Sequence, residues 1–198
     1  MKSFIVSTVC LLWLTSMAST ALAAASNPGV TSNEWRLLPP VCLYVEGGPE
    51  HQSETARRMR AADITWVHMH HYCWAIVQTM RTYQHTIDRS VARQYIRAAI
   101  GNLNYTIQRS RPGFLLRPDM FVRKAALQIR LDNLVGAADT ARQLITESPE
   151  LPDGYVALAN VQLKAGQRAQ ARKTLELGDE KVTDRARFDA LKQTLAFD

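Results

Sequence analysis

The stretch PDMFVRKAAL at residues 118–127 recurs as PDGYVALANV at residues 152–161, and this recurrence decides the fold. The two copies begin 34 positions apart, so residues 118–151 and 152–185 are two successive units. Self-similarity at a period of about 34 is typical of helix-turn-helix repeats, which stack because one unit cannot bury its apolar face alone. The sequence therefore predicts an all-α protein, built as a short α-solenoid of helical hairpins.

Each unit divides into a helix A and a helix B joined by a short turn. Helix-breaking residues mark the turns, Asp132-Asn133 in the first unit and Ala165-Gly166-Gln167 in the second. Apolar periodicity predicts the helices themselves at 119–130, 134–147, 153–164 and 168–177. Residues 186–198 carry an apolar stripe of Phe188, Leu191 and Leu195, which predicts a C-terminal capping helix.

The alternation of large and small side chains resembles the tetratricopeptide repeat family. That family has a large aromatic early in helix A, a small residue four positions later and an alanine early in helix B. The matching residues are Phe121, Ala125 and Ala137, then Tyr155, Ala159 and Ala171. The second unit departs from the pattern at its end, where Thr183 replaces the usual proline. The resemblance implies a surface that binds a protein or peptide, without naming the partner.

The chain begins as secretory signal peptides do. A positive start precedes an apolar run from Phe4 to Met17, and Ala21-Leu22-Ala23 follows as a small-x-small cleavage pattern. An uncleaved membrane anchor is the alternative, disfavoured because the run falls short of the roughly 20 residues that a span needs. We therefore expect residues 1–23 to be a signal peptide and the protein to be periplasmic or secreted.

Two segments separate the signal peptide from the repeats. Residues 24–52 contain Pro39-Pro40 and Gly47-Gly48, which favour an extended or looped path. Residues 53–117 are expected to form an N-terminal helical module, with one helix from Ser53 to about His85 and another over 89–108. Because a solenoid usually needs three or more units, this module should complete the stack.

Cys42 and Cys73 remain once the signal peptide is removed. Two cysteines in an oxidising compartment more often pair than stay free, so a disulfide is the favoured hypothesis. It would fasten the Pro39-Pro40 segment onto a helix that contains WVHMHHYCW at residues 66–74. The alternative is a metal- or cofactor-binding protein that uses His70, Cys73 and Cys42, ligand types that suit zinc or copper.

The net charge of +6 is concentrated between Asp88 and Leu131. Arg89, Arg93 and Arg97 recur every four residues and form a basic face on the second helix of the module. Such a face favours an anionic lipid or polymer surface, although a solvated helix surface is an equal alternative. In an exported protein we do not expect nucleic acid as the partner.

Motifs of the common enzyme classes are missing from the sequence, including a nucleophile elbow, a P-loop and a dinucleotide fingerprint. We therefore expect no enzyme activity and no cofactor. The predicted function is that of an exported scaffold or adaptor, which binds a protein or peptide partner during cell-envelope assembly or secretion. The groove candidates are polar residues of helix A: Arg123, Lys124, Gln128, Arg130, Asn160, Gln162 and Lys164.

Overall fold

The computed structural model describes residues 28–195, and this range contains helices and no strands. The all-α prediction is confirmed for these residues, whereas the predicted signal peptide at 1–23 lies outside them, as do residues 24–27 and 196–198. Two short 3-10 turns cover Pro40–Leu43 and Ile64–His68. The α-helices are α1 Ser32–Leu37, α2 Glu54–Ala62, α3 Met69–Arg81, α4 Arg89–Arg109, α5 Arg117–Arg130, α6 Leu134–Glu147, α7 Pro152–Lys164, α8 Arg168–Lys181 and α9 Arg185–Lys192.

The helices from α3 onwards form a stack of hairpins. The pairs α3–α4, α5–α6 and α7–α8 pack together, α4 packs on α5, and α6 packs on α7. Helix α7 also contacts both α5 and α9, so α9 takes the position that helix A of a further unit would take. The predicted α-solenoid is confirmed, and α3 with α4 supplies its first hairpin. Within residues 28–195, every helix is too short or too polar to cross a bilayer.

The small residues of the repeat pattern lie where two helices touch. Ala125 and Ala137 of the first unit are buried, as are Ala159 and Ala171 of the second. The aromatics that accompany them, Phe121 and Tyr155, are among the largest fully buried side chains. Because a small side chain lets two backbones approach, the aromatic ring can fill the space towards the next hairpin.

The single helix predicted from Ser53 to about His85 is wrong. It breaks at Asp63, whose backbone is extended (φ −153°) and whose carboxylate accepts a hydrogen bond from the Thr65 amide at 2.8 Å. This side-chain cap starts the 3-10 turn that leads into α3. Neither glycine nor proline occurs at the break. The helical spacing of the apolar residues therefore predicted one uninterrupted helix.

The segment before α2 is less extended than its prolines suggested. Thr31 and Glu34 form a capping box that starts α1, and Pro40 begins a 3-10 turn, a position where its missing N–H is tolerated. Arg81 of α3 holds α1 in place, since its Nε lies 2.6 Å from Glu34 Oε1. The Arg81 guanidinium lowers the pKa of Glu34 to about 2.

A disulfide joins Cys42 to Cys73, with an S–S distance of 2.10 Å and 5.8 Å between the Cα atoms. The favoured hypothesis for these cysteines is confirmed. Both are buried in the core of the first hairpin, where Leu38 and Val45 of the N-terminal segment also lie. The N-terminal segment is therefore packed into the core as well as bonded to α3.

Arg117 connects the first hairpin to the repeats. Its Nη1 atom donates hydrogen bonds to the Ile107 and Ser110 carbonyl oxygens at the end of α4. Its Nε and Nη2 atoms donate to the two carboxylate oxygens of Glu147 in α6, at 2.5 and 2.9 Å. Arg117 is buried, and it lowers the pKa of Glu147. One side chain thus bridges the ends of α4 and α6.

Replacing Gly101 with alanine should stabilise the fold by about 1 kcal/mol, because glycine is that much worse than alanine inside a helix. Gly101 lies in the middle of α4, and a Cβ atom there would have no neighbour within 4 Å. Gly178 gives the matched contrast, since a Cβ there would lie 2.6 Å from the Phe188 ring. The free energy of unfolding, measured with urea, should be higher for Gly101→Ala than for wild type and lower for Gly178→Ala. A Gly101→Ala variant that is no more stable than wild type would contradict the expectation.

Candidate functional site

A groove runs across the faces of α5 and α7, and the chain after α9 closes one side of it. The groove holds a cavity of about 180 Å³. Its lining comes from α5, α7 and the end of α9 in turn: Val122, Ala125, Ala126 and Ile129; Asp153, Val156, Ala157 and Asn160; Leu191, Thr194 and Leu195. On α5 and on α7 the lining residues follow the spacing i, i+3, i+4 and i+7, so each set lies on a single helical face.

A second cavity, of about 330 Å³, adjoins the first and shares Val122 and Asp153 with it. It lies at the N-terminal ends of α5 and α7, below Leu115, whose side chain is 81% exposed. The two cavities together extend the groove from the linker before α5 to the end of α9. The shared residues mean that one ligand could contact both.

Each repeat has an aspartate in the first turn of helix A, paired with an arginine. Asp119 Oδ2 lies 2.5 Å from Arg123 Nε, and Asp153 Oδ1 lies 2.6 Å from Arg187 Nη2. Asp119 also accepts a hydrogen bond from the Tyr72 hydroxyl at 2.7 Å, and burial together with this carboxylate raises the pKa of Tyr72. Within residues 28–195, Asp153 Oδ2 is the one buried side-chain oxygen or nitrogen that lacks a hydrogen-bond partner.

Among the seven predicted groove residues, Asn160 lines the 180 Å³ cavity. Arg123 is paired with Asp119, which lines the adjoining cavity. Arg130 and Lys164 are exposed at the C-terminal ends of α5 and α7, and the Arg130 guanidinium lies 4.6 Å from the Tyr83 ring centroid. Lys124 is half-buried outside both cavities, and burial lowers its pKa. That these residues contact a partner stays a prediction.

Gln128 and Gln162 make the same internal contact, one in each repeat. The Oε1 atom of Gln128 accepts a hydrogen bond from the Thr140 hydroxyl at 2.8 Å, and Gln162 accepts one from Thr174 at the same distance. These bonds join helix A to helix B within a unit. The two carboxamides are therefore used inside the hairpins, and Gln128 is buried.

Sequence reasoning missed the apolar floor of the groove, which Val122, Ala126, Val156 and Ala157 provide. The predicted groove residues were the polar side chains of helix A. The helical spacing of these residues with Ile129 and Asn160 could have indicated a common face.

The remaining predicted site residues lie outside the groove. Arg89, Arg93 and Arg97 follow one side of α4, and none of the three has an ion pair within the described part of the chain. Their binding to an anionic surface stays a prediction. A metal site of His70, Cys73 and Cys42 would need free thiolates, but both sulfur atoms are in the disulfide. No group of three or more metal-ligating side chains is arranged to hold a metal ion between residues 28 and 195.

Residues 128–195 match the family model described as tetratricopeptide repeat. The match begins near the end of α5 and extends beyond α9, so it includes four complete helices, α6 to α9. No curated protein and no solved structure matches the chain.

Proposed function

Through residues 128–195 the chain is a tetratricopeptide repeat protein, and we propose that it binds a peptide segment of a protein partner in the groove of α5 and α7. Tetratricopeptide repeats are interaction modules that commonly bind proteins, but the fold alone names no partner. The observation that carries the proposal is the 180 Å³ cavity between two helix A faces. A single water needs only about 10–15 Å³, so this space accepts a whole side chain.

The lining indicates the chemistry of the ligand. Alanine and valine form most of the floor, which favours an aliphatic side chain of the peptide. Asn160 offers both a donor and an acceptor at the cavity edge, which suits a peptide backbone. Arg130 and Lys164 carry positive charge towards one end of the groove, which favours an acidic residue next to the aliphatic one.

Two features support an exported location as part of the proposal. The first is the signal-like pattern of residues 1–23. The second is the disulfide between Cys42 and Cys73, a bond that persists in oxidising compartments and is rare in the cytosol. We infer that the protein acts as an adaptor or scaffold in cell-envelope assembly or secretion.

Filling the cavity should weaken peptide binding. Peptides selected by the full chain from a random 12-residue library would be synthesised, and their affinities would be measured by fluorescence anisotropy. Ala126→Trp places an indole in the cavity from an exposed position, so the affinity should fall at least about 10-fold, which is about 1.4 kcal/mol. Asn160→Ala should weaken binding by a smaller factor, through the loss of one polar contact.

Val135→Trp is the matched control, because Val135 is exposed on α6 and does not line the groove. This variant should bind the selected peptides as wild type does. Failure to enrich any peptide sequence, or equal affinity in wild type and Ala126→Trp, would contradict the proposed groove.

A further inference from the structure

The first hairpin carries a cluster of rings that lies outside the groove. We call it the imidazole cluster, and it consists of His68, His70, His71 and Trp74 with Tyr105 of α4. The ring centroids of His70 and His71 are 4.4 Å apart, and Trp74 lies 4.7 Å from each of them. Tyr105 covers His71 at 3.8 Å. The rings support one another, so the two adjacent imidazoles are held in fixed positions.

A chain of hydrogen bonds fixes which nitrogen of His71 carries the proton. His71 Nδ1 lies 2.6 Å from Asn102 Oδ1, and Asn102 Nδ2 donates to Gln78 Oε1 at 2.9 Å. Asn102 and Gln78 are both buried between α3 and α4. Because a carboxamide oxygen can only accept, His71 must donate through Nδ1–H. Its Nε2 atom then carries a lone pair.

His70 has the same tautomer for a different reason. Its Nδ1 atom lies 3.1 Å from the Val67 carbonyl oxygen, which can only accept a hydrogen bond. The Glu46 carboxylate is 3.5 Å from the same nitrogen and also favours a proton there. The Nε2 atom of His70 is therefore a second lone-pair donor, on a ring whose centroid is 4.4 Å from that of His71.

Both lone pairs are open to a ligand. Neither Nε2 atom has a hydrogen-bond partner in the part of the chain that the structure describes. Neither is among the buried atoms left unpaired, so both reach solvent.

We propose that His70 and His71 bind a divalent transition-metal ion through these Nε2 atoms, with Cu²⁺ bound most tightly. Neutral imidazole suits copper, zinc and nickel, and Cu²⁺ leads the divalent affinity order. Metal–nitrogen bonds of about 2.0–2.1 Å place two shared ligands about 3–4 Å apart, a separation that rings with centroids 4.4 Å apart can reach. Asn102 and the Val67 carbonyl act as outer partners that orient the ligands.

Two protein ligands leave coordination positions for water, so the site is open and the ion exchangeable. It needs no thiolate, which distinguishes it from a site built on Cys42 and Cys73. Nearby charges act in opposite directions: Glu46 favours a cation, and Arg109, whose guanidinium lies 3.8 Å from the Tyr105 ring centroid, opposes one. The site is separate from the peptide groove and does not depend on it.

The test is a titration of the untagged, disulfide-bonded protein with CuSO₄, followed by electron paramagnetic resonance. We expect one equivalent of Cu²⁺ with coupling to two imidazole nitrogens. His70→Ala and His71→Ala should each weaken binding at least about 10-fold. His85→Ala is the matched control, because His85 is exposed after α3 and outside the cluster, and it should bind copper as wild type does. Equal binding by the His70→Ala/His71→Ala double variant, or no binding by wild type at micromolar copper, overturns the proposal.

A measurement without metal keeps the proposal testable if a variant folds poorly. Long-range ¹⁵N–¹H spectra of the wild-type protein report the tautomer of each histidine. Both His70 and His71 should be protonated on Nδ1 at neutral pH. Protonation of Nε2 in either ring at neutral pH would remove a ligand and overturn the site.

Discussion

Replacing Arg117 with methionine is expected to lower the free energy of unfolding by about 3 kcal/mol, the lower end of the range for breaking a buried ion pair. The variant leaves the Glu147 carboxylate without its main partner and removes the guanidinium donor from the Ser110 and Ile107 carbonyls, of which the Ile107 carbonyl keeps only the Ser110 hydroxyl. Glu147 keeps 23% of its side-chain surface exposed, which limits the cost. Urea unfolding monitored by circular dichroism measures the change.

Arg142→Met is the matched control on the same helix as Glu147. Arg142 pairs with Asp139 at 2.8 Å, but the two side chains are 59% and 67% exposed. An exposed pair contributes about 0–1 kcal/mol, so this variant should unfold close to wild type. Similar losses in the two variants would show that Arg117 is an ordinary surface arginine rather than the connection between α4 and α6.

The pH dependence of the Arg117→Met effect follows from Glu147. Arg117 lowers the pKa of this carboxyl below its unfolded value of 4.5. The ion pair therefore contributes its full stability above 4.5, and that contribution is lost as the pH falls through the folded-state pKa. The stability difference between wild type and Arg117→Met should narrow on acidification.

Removing the disulfide should cost about 3–4 kcal/mol, the chain-entropy value for a loop that spans a sequence separation of 31. Replacing Cys42 and Cys73 with alanine frees the N-terminal segment from α3 in the unfolded chain. The midpoint of urea unfolding should fall accordingly. Both cysteines are buried in the core. Alanine is therefore a better replacement than serine, whose hydroxyl group would be buried there.

Reductant provides the internal control for this second prediction. It should lower the unfolding midpoint of wild type once the chain is reduced, and it should leave the double alanine variant unchanged. The intact mass of wild type, measured without reductant, should be lower by two hydrogens than that of the reduced chain. A double variant as stable as oxidised wild type would contradict the stabilising role.

The repeats could be predicted from the sequence because their signal is local and repeated. Helices α5 to α7 end within two residues of their predicted bounds, and α8 runs to Lys181 rather than Leu177. The break at Asp63 could not be found by periodicity, since a single side-chain cap produces it. The start of α1 could have been found, because Thr31 and Glu34 have the capping-box spacing.

The groove was predicted at the level of helices but not of side chains. Polarity suggested Gln128 and Gln162, yet a glutamine on helix A faces helix B when a threonine there can donate to it. The residues of the cavity floor are alanine and valine, which the sequence alone predicts to be buried in the core. Which apolar residues line a groove depends on how the hairpins stack, and a single sequence does not carry that information.

The glutamine–threonine bond has a consequence for how such a chain can change in length. Both partners belong to the same unit and lie 12 residues apart in each, so every copy contains its own hydrogen bond between helix A and helix B. A duplicated unit would contain this bond as well. It would then need only to pack against its neighbours, as α7 packs against α5 and α9. The repeat is in this sense a cassette, and the array can lengthen without new contacts between helix A and helix B in each added hairpin.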